Sequence, residues 1–335
     1  MAMEKSALHR ASGRSGLGVV LAVITMILWA VLAPALKVTL AEMDAYTIIW
    51  YRFLVSTVVL GAVLAYRGQL PRIGRLSRGV QGLLVVATGF LAANYILFLL
   101  GLKHTTPANT QVLIQLAPLL LAVGGLGVFG ERFTRPQWLG FVVLLLGLVA
   151  FCRDQLGFSG ADFGEYRFGS ALVVAAAVTW AIYGLAQKQL LATLPSQAIM
   201  LCLYAGCVVL FTPLSTPSQL LGMDRLGLGM LLFCALNTVV AYGAFAEALV
   251  HCDASRVAAV LALTPLATIA TASIAASFWP GLGVASHISS IGFVGVGLVV
   301  AGALLTALGR AEVAAPRLTP DGVILDEHSY RPGAT

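Results

Sequence analysis

Residues 17–37 read LGVVLAVITMILWAVLAPALK, and residues 168–188 read FGSALVVAAAVTWAIYGLAQK. Both runs are apolar along almost their whole length. Each carries a Trp-Ala pair at the same place, Trp29-Ala30 and Trp180-Ala181, and each closes on a lysine, Lys37 and Lys188. A helix rises 1.5 Å per residue, so about 20 apolar residues cross the roughly 30 Å hydrocarbon core of a bilayer. The two stretches therefore read as membrane-spanning helices, and the second reads as a copy of the first.

Working outward, runs of similar character lie at 17–37, 46–66, 79–102, 107–129, 136–152, 168–188, 196–214, 226–250, 255–277 and 288–308. The pattern predicts an all-α membrane protein with ten transmembrane helices. Composition agrees: 59% of the 335 residues are hydrophobic and 10% charged, against about 25% charged in a soluble domain. Too few charges remain to cover a folded surface in water. The first run resembles a signal peptide, with its basic lead and the small segment Ala33-Pro34-Ala35. Nine further spans and its own later copy argue against cleavage. Cys152, Cys202, Cys207, Cys234 and Cys252 form no CxxC pair and read as small apolar residues. Residues 1–16 are a basic lead and 309–335 a polar tail, both expected to be disordered.

The copying extends through both halves. Tyr95 answers Tyr242, His104 answers His251, Pro118-Leu119 answers Pro265-Leu266, and Gly140-Phe141-Val142 answers Gly292-Phe293-Val294. The halves are expected at 17–153 and 168–308. Each holds an odd number of spans, so the second enters the membrane from the opposite side. Inverted repeats of this kind place a substrate site near the midplane, where the halves meet. Lys and Arg set the orientation. With the N-terminus inside, the cluster Arg67, Arg72, Arg75 and Arg78 is cytoplasmic, as are most other basic residues. The positive-inside rule then puts both termini in the cytoplasm. This bias also explains the net charge of +6 without a nucleic-acid partner.

Phe129-Gly130-Glu131-Arg132-Phe133, followed by Gln137-Trp138-Leu139-Gly140, resembles the boundary between the fourth and fifth helices in the EamA branch of the drug/metabolite transporter superfamily. The stretch from Ala108 to Pro118-Leu119 resembles that branch's fourth helix. The second half departs from the pattern, with Phe278-Trp279-Pro280-Gly281 where a second glutamate is expected. Within the branch the chain looks most like YddG-type amino-acid exporters. The resemblance implies a multi-pass protein of the bacterial inner membrane that exports small metabolites, amino acids including aromatic ones, by alternating access. Drugs, sugars or nucleosides are the alternative cargo.

Polar groups are costly in hydrocarbon unless they meet a cavity or a partner. By that test the candidate cavity residues are Trp29, Asn94, Tyr95, Gln111, Gln115, Trp180, Tyr183, Gln187, Asn237 and Tyr242. Gln111 and Gln115 fall on one helix face by spacing, as do Trp180, Tyr183 and Gln187. The asparagines and glutamines equally suit hydrogen bonds between helices, and the tryptophans equally suit packing. Pro118 and Pro265 each remove an internal backbone bond and are expected to kink their helices, as gates or as fixed bends. Glu247 is placed for coupling or for contact with a substrate ammonium, although the helix end also gives it access to water. Arg52 is expected to snorkel to headgroups. Lys37, Lys188, His104 and His251 read as helix-flanking or solvated groups. Gly292, Gly295, Gly297 and Gly302 point to close packing, within one chain or in a weak homodimer.

A membrane enzyme would need a nucleophile with its base, a metal cluster or paired acids, and no such spacing is present. A channel would need charge rings or a carbonyl filter. A receptor would not need duplication. The expected partners are a small-molecule substrate and the bilayer, with no cofactor, no metal, and a monomer or weak homodimer as the assembly.

Overall fold

The computed structural model describes residues 15–129, 134–158, 163–251, 254–282, 284 and 288–308. Gly130-Glu131-Arg132-Phe133, Cys252, and the lead and tail outside 15–308 fall beyond the described residues. The described residues form α1 (Ser15–Thr39), α2 (Ala45–Tyr66), α3 (Arg78–His104), α4 (Pro107–Leu113), α5 (Leu116–Phe129), α6 (Arg135–Phe158), α7 (Phe163–Leu190), α8 (Ser196–Phe211), α9 (Arg225–His251), α10 (Ala254–Leu261), α11 (Thr264–Phe278) and α12 (Ser290–Leu308). Helix starts follow local chemistry. The Asp44 carboxylate accepts the Thr47 backbone N–H at 3.0 Å to begin α2, and the Thr106 hydroxyl accepts that of Asn109 at 3.2 Å to begin α4. Pro107 then takes the first position of α4, where a missing N–H costs nothing.

These elements make 10 helical segments long and apolar enough to cross a membrane. The outer surface confirms the environment. Val58, Val85, Val209 and Ile291 are each more than half exposed, which suits lipid and not water. Two of the spans are broken: α4 and α5 form the fourth, α10 and α11 the ninth. The kinks expected from proline are therefore full interruptions. A proline ring clashes with the carbonyl four residues before it, which is Ile114 for Pro118 and Leu261 for Pro265. The chain responds differently at the two places. The Ile114 carbonyl accepts the Ala117 N–H at 2.9 Å, whereas the Leu261 carbonyl takes the Thr264 hydroxyl at 2.5 Å.

Helix neighbours recur in corresponding combinations. α3 lies along α7 as α1 lies along α9, and α5 meets α7 as α11 meets α1. α2 touches α9 as α8 touches α3, while α6 pairs with α12 and α2 with α8. The α6–α12 pair explains the glycines. A Cβ on Gly147 would lie 2.7 Å from the Gly295 carbonyl, and one on Gly140 would lie 2.7 Å from the Gly302 carbonyl. Gly292, Gly295 and Gly302 thus serve packing within the chain, while nothing lies within 4 Å of a Cβ on Gly297. Beside them the buried Asp154 accepts the Gln155 amide at 3.1 Å and the Ser289 backbone N–H at 3.2 Å.

With ten crossings, Ser15 and Leu308 lie on one side of the bundle. The opposite side carries many side-chain ties. Glu42 accepts the Asp224 N–H at 2.8 Å, Gln219 accepts the Asp44 N–H at 3.0 Å, and Thr47 accepts the Thr216 N–H at 2.8 Å. Asn109 donates to Ser170 at 2.9 Å, and Tyr166 donates to Gln155 at 3.0 Å.

Candidate substrate site

A chain of aromatic contacts runs through the middle of the bundle. Trp29 of α1 meets Tyr242 of α9 edge-on, with ring centroids 5.5 Å apart. The Tyr242 and Tyr95 side chains lie close to each other. Tyr95 of α3 packs against Phe53 of α2 at 4.6 Å, and Phe53 against Tyr204 of α8 at 5.7 Å. Trp180 and Tyr183 of α7 meet edge-on at 6.3 Å, and Tyr183 stands within electrostatic range of Tyr95. Trp29, Tyr95, Trp180 and Tyr242 are half-buried. Tyr95 and Tyr242 each lie nine residues before the histidine that ends their helix, about 13 Å along it.

Other expected residues go elsewhere. Asn94 is buried and donates to the Ala176 carbonyl of α7 at 2.8 Å. Asn237 donates to the Leu28 carbonyl of α1 at 2.7 Å. Both amides tie helices together. Gln187 donates to the Met200 sulfur at 3.4 Å, near the end of α7. Glu247 is largely exposed and pairs with His251 at 3.1 Å, one turn on. Gln111 is half-buried in α4, but Gln115 lies in the break after α4 ends. Continuous helical spacing therefore does not join those two glutamines. Pro118 is exposed and Pro265 buried.

Three buried polar atoms among the described residues have no partner: Gln115 Nε2, Asn237 Oδ1 and Thr268 Oγ1. Buried polar atoms are almost always paired, so such atoms mark places where a water or ligand completes the bonding. Gln115 sits at the break of the fourth span, and Thr268 is one turn past the break of the ninth.

Arg52 corrects the expectation of snorkelling. It is 5% exposed, and its Nε donates to the Thr238 hydroxyl at 3.2 Å. Its guanidinium carbon lies 4.9 Å from the centre of the Tyr95 ring, a cation–π arrangement. The side chain turns inward because Tyr95 and Thr238 supply partners there. Arg52, Phe53, Tyr204 and Thr238 thus join the centre although none was among the expected cavity residues. For Arg52 the signal was present: an ionisable residue inside a span is a functional candidate by default.

Lys37 is structural. Its ammonium donates to the carbonyls of Leu102, Lys103 and Thr105 at 2.8, 2.9 and 2.7 Å, capping α3.

Ten apolar spans, two of them broken beside matching prolines around an aromatic centre, define a polytopic membrane transporter. The EamA-like transporter family matches residues 16–152 and again 167–308, and the chain belongs to that family. It is 37% identical over 295 residues to an uncharacterised transporter of Haemophilus influenzae, covering 88% of this chain and 95% of that one. It is likewise 37% identical over 299 residues to the uncharacterised inner membrane transporter YhbE of Escherichia coli, covering 89% and 93%. The protein RarD of Salmonella typhimurium is 24% identical over 225 residues, or 65% of this chain and 72% of that one. A crystal structure at 19% identity superposes with a TM-score of 0.59 over 87% of this chain and 96% of the other, which speaks to fold.

Proposed function

We propose that this transporter exports small metabolites, foremost amino acids including aromatic ones, across the bacterial inner membrane by alternating access. The two halves act as inverted repeats, both termini face the cytoplasm, and the substrate sits between the halves at the aromatic centre. The observation that carries this reading is the pair of breaks beside Pro118 and Pro265. Discontinuous helices at matching places in two repeats are the arrangement that builds substrate sites in secondary transporters.

Further features support it. The family match falls once on each half. The helix contacts interchange when the halves are exchanged, as α3 with α7 and α1 with α9. Tyr95 and its repeat counterpart Tyr242 lie close to each other, which agrees with residues beside a pseudo-two-fold axis. The basic loop Arg67–Arg78 supports cytoplasmic termini. The inner-membrane name of the Escherichia coli relative supports the location. Aromatic walls with neutral polar atoms suit a small zwitterion.

The test is uptake of labelled amino acids into proteoliposomes of the purified protein, with unlabelled competitors of several classes. Saturable uptake suppressed by excess methionine, threonine or aromatic amino acids is the expected result. Uptake that only drugs, sugars or nucleosides suppress would overturn the amino-acid assignment. Replacing Trp29, Tyr95 or Trp180 by alanine is expected to lower uptake at least about tenfold. Glu247→Gln is expected to change it little, because that carboxylate lies away from the aromatic centre.

A further inference from the structure

Among the described residues Arg52 is a cation without an anion. Six of those residues are acidic, and each is engaged elsewhere. Glu42 binds the Asp224 N–H, Asp44 caps α2, and Asp154 binds Ser289. Glu165 binds His104, Asp224 caps α9 through the Gly227 N–H, and Glu247 binds His251. Among the described residues no carboxylate pairs with Arg52. Its Nε reaches Thr238, and its two terminal nitrogens make no hydrogen bond to described protein atoms. Nor are those nitrogens among the sealed, partnerless atoms. They therefore keep some accessible surface while the residue as a whole is nine-tenths buried.

The location matters as much as the charge. Arg52 lies against Tyr95, the residue that links Phe53 and Tyr204 on one side to Tyr242 and Trp29 on the other. Thr238 and Tyr95 hold the guanidinium plane, leaving its two-nitrogen edge for a planar partner. A carboxylate fits that edge with two parallel hydrogen bonds. A single positive charge balances a single negative one, so the complementary group is a monoanionic carboxylate and not a phosphate dianion.

We infer that Arg52 is the carboxylate-binding residue of the substrate site, and that the transported molecules are small organic carboxylates whose apolar part packs on Trp29, Tyr95, Tyr204 and Tyr242. This rests on the transport reading above for the place of the site and adds the group the site recognises.

The test is binding, followed by the change in tryptophan fluorescence of detergent-purified protein in which Trp50, Trp138 and Trp279 are replaced by phenylalanine so that Trp29 and Trp180 report. The probes are phenylalanine, leucine, methionine, benzoate and 2-oxoisocaproate, each against its carboxamide. The unmutated protein is expected to bind at least one acid about tenfold or more tightly than its amide. Arg52→Gln is expected to bring that ratio to near one, and Arg52→Lys to an intermediate value. If no acid outbinds its amide, or if Arg52→Gln keeps the ratio, the inference is overturned. Should Arg52→Gln fail to run as a single species on size exclusion, Arg52→Lys decides: a ratio equal to that of the unmutated protein overturns the proposal. Arg52-dependent binding without any flux in proteoliposomes would sink the transport reading alone. Saturable flux that ignores acid against amide would sink this inference alone.

Discussion

The ends of α3 and α9 are built from matching residues and hold themselves in different ways. Each helix has 27 residues, starts on arginine, ends on histidine and carries a tyrosine nine residues earlier. At the end of α3, His104 binds Glu165 of α7, across the two halves, and Lys37 of α1 caps the carbonyls of Leu102, Lys103 and Thr105 on either side of it. At the end of α9, His251 binds Glu247 of its own helix. The difference teaches that matching sequence positions in the two halves can take different partners. The side bearing His104 is fastened between halves by His104 with Glu165, Glu42 with Asp224, Asp44 with Gln219 and Thr47 with Thr216, and in the alternating-access account it is the closed side.

Removing the Lys37 cap of α3 should have the largest effect. Lys37→Met deletes three hydrogen bonds from a charged donor and leaves three carbonyls short of a partner. It is expected to lower stability by roughly 2–4 kcal/mol, read by thermal unfolding in detergent. It should also speed maleimide labelling of a cysteine placed at Thr216 on the same side. Unchanged melting and labelling would mean that Lys37 fastens nothing.

The tyrosine pair sharpens the comparison at the centre. Tyr95→Phe and Tyr242→Phe each remove one hydroxyl of this neighbouring pair. Each is expected to cost about 1 kcal/mol, and the double variant little more than either alone. Additive costs would show that the two hydroxyls do not depend on each other. Glu165→Gln should cost less, between 0 and about 1 kcal/mol, because the His104–Glu165 pair is partly exposed. Its clearer effect should be faster labelling at Thr216. Glu247→Gln should be smallest, within about 0.5 kcal/mol, because it breaks an exposed contact within one helix. It should leave labelling at Thr216 unchanged. Equal labelling effects for Glu165→Gln and Glu247→Gln would break the comparison.

Much of this fold was legible because membrane crossing is written in length and composition. Ten apolar runs became ten spans, with ends moved by a few residues where caps such as Asp44 and Thr106 fixed them. The prolines announced disturbed helices, but not complete breaks. Whether a chain bends or reopens depends on what takes the freed carbonyl, and Ala117 and Thr264 do this by different means. The centre was half legible. Trp29, Tyr95, Trp180 and Tyr242 were expected from their pairing. Arg52 was misjudged because distance to the helix end was weighed above the direction of the side chain. In a span that is apolar all round, periodicity does not reveal which face meets neighbours. The direction came from Tyr95 and Thr238, distant in sequence. Asn94 and Asn237 show the same limit: their type foretold a polar contact, and only packing decided that each would tie two helices.

The most direct test of the central claim is trans-stimulated exchange. Proteoliposomes would be preloaded with an unlabelled amino acid, and entry of the labelled one measured against unloaded vesicles. A carrier that must reorient between sides is expected to show saturable entry that internal substrate accelerates. Entry that rises linearly with concentration and ignores the internal pool would contradict alternating access between two halves.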